Sequence, residues 1–212
     1  MAALLLLANA PARAAELIVL TNDGHGHPVA DAVVTVIPHD KSIAAEAHRR
    51  RGPSTRIIDQ KDLTFIPYIE IFRPGDSVVF RNSDRTRHHV YSFSPVKRFE
   101  FVLAPGESST PLPLEKSGVI AAGCNIHDQM ISYLYVSDAP WIARSDGNGR
   151  AQLHDLPAGS YDVHVWHPRL RPGKPDLLQS STVVGATVQT LTFPMSLLPD
   201  MRRQFDREHT QY

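Results

Sequence analysis

Gly123-Cys124-Asn125-Ile126-His127-Asp128-Gln129-Met130 is the stretch on which the reading of this chain turns. It gathers a thiol, an imidazole and a thioether into one short segment. On a straight strand, alternate side chains point to opposite faces, so these three reach a common target only if the segment is a loop. Cys124 is the only cysteine among 212 residues. No disulfide can form within the chain, and the thiol is left as a buried apolar group, a nucleophile or a metal ligand.

Working outward, a metal site of this kind needs a second imidazole. The segment Asn82-Ser83-Asp84-Arg85-Thr86-Arg87-His88-His89-Val90 offers two, after an extended Val78-Val79-Phe80 run. Soft sulfur ligands favour Cu(I), imidazole suits both copper oxidation states, and a trigonal His2Cys set with a weak axial Met is an electron-transfer arrangement. Zinc fits less well, because structural zinc takes four Cys or His ligands and this chain has one cysteine. A cysteine nucleophile fits poorly too. It needs a general base and an oxyanion hole, and C-x2-H within one loop is poor geometry for attack on a carbonyl.

The surroundings read as strands. Proline is frequent, at 17 residues, and falls between short apolar runs, a pattern of turns and strands rather than long helices. Glu16 to Asn22 and Ala32 to Pro38 read as two strands, expected to form a hairpin about Asp23-Gly24-His25-Gly26. Asp40 to Thr55 reads as a linker with room for a helical turn. From Ile57 to Val136, extended segments alternate with turns such as Arg73-Pro74-Gly75-Asp76 and Pro105-Gly106-Glu107, as in an antiparallel sandwich. Tyr161, Val163 and Val165 then alternate with Asp162, His164 and Trp166, the period-2 pattern of a half-buried strand. Val183 to Phe193 supplies one or two strands more. The fold class is therefore all-β.

These motifs together resemble the cupredoxins: Phe65-Ile66-Pro67, Arg73-Pro74-Gly75-Asp76, Asn82-x5-His88 and Cys124-x2-His127-x2-Met130. Plastocyanin and pseudoazurin are similar in order and in the N-x5-H-x-V pattern, and amicyanin in the short ligand loop. His88 to Pro95 and Gly123 to Asp128 also resemble bacterial proteins labelled methylamine utilization protein. The resemblance implies a metal set of His88, Cys124, His127 and Met130, with one type 1 (blue) copper as the cofactor. His89 is the alternative to His88; it stands where plastocyanins often carry an Asn that ties the ligand loops together. The resemblance also implies that His127 is the electron port.

Leu17 to Pro38 and Ala143 to Val165 resemble a second kind of sandwich, the carboxypeptidase regulatory-like or transthyretin-like type. The likeness rests on Asp23-Gly24, Pro28 to Val36, Ser145 to Arg150 and Leu156 to Tyr161. The expected organisation is an export signal at 1–14, a discontinuous sandwich at 16–39 and 139–198, a linker at 40–55, a cupredoxin domain at 56–138 inserted between its halves, and a polar tail at 199–212. The alternative is a linear order in which Leu17 to Pro38 belongs to the metal domain.

Met1 to Ala14 is apolar and ends in Ala12-Arg13-Ala14, an A-x-A cleavage pattern, so the mature chain is expected to begin near Ala15 in the periplasm. No later stretch is long and apolar enough for a transmembrane helix. Lys plus Arg equals Asp plus Glu, 22 against 22, which gives no excess for binding nucleic acid. His25 and His27 read as solvated turn residues, with a surface copper pair as the alternative, and His164 and His167 belong to an outer strand face or a domain junction. His39, His48, His154 and His209 have no company that suggests chemistry, and no second, histidine-rich copper site of the kind an oxidase or nitrite reductase needs can be assembled. The expected function is single-electron transfer with a protein redox partner rather than catalysis. The alternative is a copper carrier or sensor, or a docking module.

Overall fold

The computed structural model describes residues 15–48, 52–185 and 187–200. Residues 1–14, expected to be an export signal, and residues 201–212 of the expected tail lie outside the described residues. Sixteen strands and one short helix follow in order: β1 (Ala15–Asp23), β2 (Val33–Pro38), α1 (Lys41–His48), β3 (Thr55–Lys61), β4 (Thr64–Ile66), β5 (Ile69–Phe72), β6 (Ser77–Asn82), β7 (His88–Ser92), β8 (Phe99–Leu103), β9 (Leu112–Pro113), β10 (Gly118–Cys124), β11 (His127–Val136), β12 (Trp141–Arg144), β13 (Arg150–Leu156), β14 (Gly159–Trp166), β15 (Leu177–Val183) and β16 (Val188–Met195). No helix among the described residues is long and apolar enough to cross a membrane.

The strands form four sheets, which pair into two sandwiches. One sandwich stacks β13-β1-β16 on β12-β2-β14-β15, and the other stacks β5-β11-β10-β7-β8 on β4-β3-β6-β9. Each has its own core. Leu17, Val19, Val34, Val36, Leu153, Tyr161, Val163 and Phe193 fill the first. Ile58, Phe65, Phe72, Phe80, Val90, Ile120, Cys124, Met130 and Leu134 fill the second. Strands β3 to β11 are contiguous in sequence and build the second sandwich, while the first is assembled from both ends of the chain. Ile18 stands opposite Gln152 on one side and Thr190 on the other.

The expected β1–β2 hairpin does not exist. β1 pairs with β13 and, in parallel, with β16, whereas β2 pairs with β12 and β14 in the facing sheet. The physical reason lies in the connection. Asp23 Oδ1 accepts the amides of His25 and His27 at 2.8 and 2.9 Å and closes a local turn. The chain then runs on past Val29, whose amide bonds Thr21 O at 2.9 Å, and through Asp31 at φ 66° before β2 begins. So long a connection lets the chain cross between layers, where a two-residue turn would have held the strands side by side.

The stretch read as a linker contains α1. Asp40 caps it, its Oδ1 accepting both the amide and the hydroxyl of Ser42 at 2.8 Å, as an N-cap carboxylate does. In β14 the alternation holds: Tyr161, Val163 and Val165 are fully buried while Asp162, His164 and Trp166 are half-buried on the other face. The Tyr161 hydroxyl donates to Pro157 O at 2.6 Å and pins the turn entering the strand.

That outer face of β14 meets the second sandwich. Trp166 packs against Tyr133 and Tyr135 of β11, with ring centroids 5.8 and 5.2 Å apart. Arg144 Nη1 donates to Ile69 O at 2.7 Å, and Arg73 bonds the carbonyls of Ala139 and Pro140. Burial, together with the nearby Asp176 carboxylate, pushes the Tyr135 hydroxyl up to about 12, against a bond from Thr35. The strand that carries part of the candidate metal centre is thus braced from behind by the other sandwich.

Candidate metal centre

The centre sits where β7, β10 and β11 meet. β7 alternates, and its phase settles which histidine faces the core. His88 is fully buried, whereas His89 points to the opposite, partly exposed face. Cys124 ends β10 at 3% exposure. The register of β10 against β11 runs Ala122 with Ser132 and Gly123 with Ile131, then jumps to Cys124 with His127. Asp128, Gln129 and Met130 fall outside that pairing. This excursion is how a segment that begins and ends as strand turns several neighbouring side chains the same way.

His88 Nδ1 lies 3.6 Å from Cys124 Sγ, and His127 Nδ1 lies 3.8 Å from the same sulfur. These ligand atoms all lie within 4.8 Å of one another, and no other such His, Cys or carboxylate cluster is found among the described residues. Nitrogen and sulfur ligands held about 2.0–2.3 Å from one ion at trigonal or tetrahedral angles stand roughly 3.6–3.8 Å apart, so the donor set fits a single metal ion. Met130 is buried at 2% exposure in the same apolar cluster as Cys124, placing a soft thioether in that core. The four residues singled out from the sequence therefore divide into three whose donor atoms converge and a fourth buried in the cluster that holds the cysteine.

Two side chains outside the ligand set hold His88 in place. Asp84 Oδ2 bonds His88 Nε2 at 2.8 Å, which leaves Nδ1 facing the sulfur with its lone pair. The same carboxylate accepts the amides of Asp62 and Leu63 at 2.6 and 3.1 Å. Those two residues form the β3–β4 turn, both at positive φ. Asn82, fully buried, donates to Thr86 O and Leu103 O, both at 2.9 Å, and accepts from Asp84 N at 3.0 Å, so it shapes the loop that delivers His88. His89 faces away from the sulfur: its Nε2 is 2.6 Å from Glu100 and its Nδ1 3.4 Å from the Asn125 amide nitrogen. Its carbonyl accepts Asn125 N–H at 3.0 Å, tying the two ligand-bearing segments by main chain. Asn82 was visible in the sequence as the first residue of N-x5-H, but its three bonds were not.

His127 is the half-exposed member. Burial holds its imidazole below the ordinary 6.5, and the charge of His88 adds to that against the opposing pull of Asp84. Neutral imidazole is the form a metal binds. Next to it in the loop, Ile126 is 53% exposed. The other histidines stand apart. His27 pairs with Asp23 at 3.1 Å and His39 with Asp162 at 3.0 Å, both on the surface, and buried His167 accepts the Arg169 amide at 3.1 Å.

No protein-family model and no curated protein matches the chain. Among solved structures, a reduced variant of amicyanin is similar at 16% identity over 49% of this chain and 99% of its own, with a TM-score of 0.37. A purple cupredoxin from Nitrosopumilus maritimus matches at 21% identity over 40% of this chain and 99% of its own, with a TM-score of 0.34. A copper-containing nitrite reductase from Thermus scotoductus SA-01 matches at 22% identity over 42% of this chain and a TM-score of 0.36; the match spans only 23% of the reductase.

Proposed function

We propose that the inserted sandwich is a cupredoxin in which His88, Cys124 and His127 would hold one type 1 copper, with the Met130 thioether as a weaker fourth ligand, and which would pass single electrons to a protein partner. The observation that carries this reading is the convergence of two imidazole nitrogens on one buried thiol, 3.6 and 3.8 Å away, within an apolar core that also buries a methionine. A thiolate with two imidazoles suits copper, and the thioether sharpens the preference for copper over zinc. A copper ion bound there supplies a one-electron couple between Cu(I) and Cu(II).

The rest of the work belongs to the chain. Asp84 and Asn82 fix His88 and its loop through the chain's own hydrogen bonds, so little rearrangement would accompany a change of charge at a bound metal. The apolar core around Cys124 and Met130 keeps water from the sulfur side. His127, with exposed Ile126 beside it, is the edge through which an electron reaches a docked partner. We read residues 1–14 as an export signal and the periplasm as the compartment. The sandwich built from the two ends of the chain we read as a carboxypeptidase regulatory-like, transthyretin-like module that presents the copper domain to its partner. No catalytic role is assigned.

The test is spectroscopic. The purified chain loaded with Cu(II) is expected to show an intense thiolate-to-copper band in the visible and a type 1 EPR signal, both lost in Cys124→Ser. A colourless protein that binds copper only through nitrogen and oxygen would overturn the reading. Slow electron exchange combined with rapid release of copper to an acceptor would instead make the protein a carrier.

A further inference from the structure

The two sandwiches leave a cleft of about 570 Å3 between them, beside the ligand loop. Its size falls in the range of small-molecule sites, roughly 300–1,000 Å3, and such sites favour domain boundaries. One wall is Tyr68, Ile131 and Tyr133; the other is Pro168, Leu198 and Pro199. Both walls are braced. The Tyr68 and Tyr133 rings pack edge to face at 5.6 Å, and Tyr133 is held from behind by Trp166. Across the cleft, Leu198 N donates to Arg169 O at 2.8 Å while Arg169 Nε donates to Leu198 O at 2.6 Å.

The polar groups of the lining narrow the ligand chemistry. Arg169 lies 4.0 Å from Asp200, so these two charges offset one another. Asp128, exposed, and Gln129 remain as acceptors beside the apolar walls. Asp128 is a carboxylate that would repel an anion, and because it is exposed its pairing with a cation is worth little against the cost of shedding water along the apolar walls; a neutral hydroxyl costs far less to desolvate and can donate to Asp128 or Gln129. Aromatic and proline walls suit a planar ring. We propose that this cleft is a binding site for a small neutral hydroxyaromatic molecule, a phenol. Asp128 and Gln129 lie between His127 and Met130 in sequence, so the occupant bears directly on the excursion that shapes the candidate metal loop.

Binding is measured on the metal-free full chain, so the outcome is independent of the copper reading. Calorimetric titration with 4-methylphenol, 4-methylbenzylamine and 4-methylbenzoate is expected to show saturable one-to-one binding of the phenol, roughly tenfold or more tighter than either ion. Leu198→Asp, at a partly exposed position, is expected to weaken phenol binding by roughly tenfold or more with the circular dichroism unchanged. Asp128→Ala, on the surface, is expected to weaken it as well. Tighter binding of the ammonium would show that Asp128 reads a cation, and tighter binding of the benzoate that Arg169 reads an anion; either overturns the proposal. So does an absence of saturable binding, or binding that neither substitution affects.

Discussion

Asp84 is one carboxylate with three bonds, and it decides how a buried imidazole is presented. It holds His88 Nε2 on one side and the Asp62 and Leu63 amides on the other. Asp84→Ala is expected to lower copper affinity by roughly ten- to a hundredfold, as loss of a carboxylate partner does elsewhere, measured by competition with a chelator. Asp84→Asn keeps an acceptor but removes a negative charge that favours Cu(II), so the reduction potential should rise, which voltammetry reads directly. At this scale the sequence was partly legible. The C-x2-H-x2-M spacing singled out Cys124, His127 and Met130, and strand alternation separates His88 from His89 once the phase of β7 is known. Nothing in the sequence told that Asp84, four residues before His88, would face its ring, because that contact depends on the path of an irregular loop.

At the scale of elements, turns fixed by single residues hold the sheets in register. Gly149 has φ +70°, and a Cβ there would overlap the carbonyl oxygen of Thr21, the neighbour that ties the β12–β13 turn to β1. Gly149→Ala should therefore cost about 1–3 kcal/mol for the backbone conformation alone and more for the overlap, as read from urea unfolding. Asp76 governs the turn before β6. Burial opposes its ionisation, but bonds from the Arg73 amide and from the Ser54 amide and hydroxyl, with the charge of Arg56, outweigh it and hold the carboxyl below its usual 3.8. A carboxyl depressed in the folded state stabilises the protein fully above its unfolded pKa and loses that contribution as pH falls through the folded value. Asp76→Asn should thus be less stable than the parent at neutral pH, with the gap closing below about pH 4 in acid-unfolding curves. Period-2 strands such as β14 were legible because one face is buried. β15 escapes the sequence reading, since the expected strands over Val183 to Phe193 touch only its last residue and Gln179 to Thr182 are polar throughout, and the false β1–β2 hairpin arose because pairing partners more than a hundred residues away leave no local signal.

Across the whole molecule, the contact between the sandwiches depends on few side chains. Trp166 fills the junction against Tyr133 and Tyr135, and the bonds of Arg144 and Arg73 flank it. Trp166→Ala should cost about 3 kcal/mol, at the low end for removal of a large buried ring because this one is half-buried. If the two cores depend on that contact to unfold together, the single calorimetric transition of the parent should split into two in the variant; a single, merely lowered transition would show that the sandwiches stay coupled without it. The parallel pairing of β1 with β16 has a consequence for the order in which the molecule is completed. Synthesis runs from the amino end, so β1 must wait for β16 before its sheet is whole. The contiguous strands β3 to β11 can close around their own core meanwhile. The protein is finished from the inside out. A chain halted before Val188 would keep the formed β3–β11 sandwich beside an open sheet edge, and that edge invites pairing with any other strand at hand.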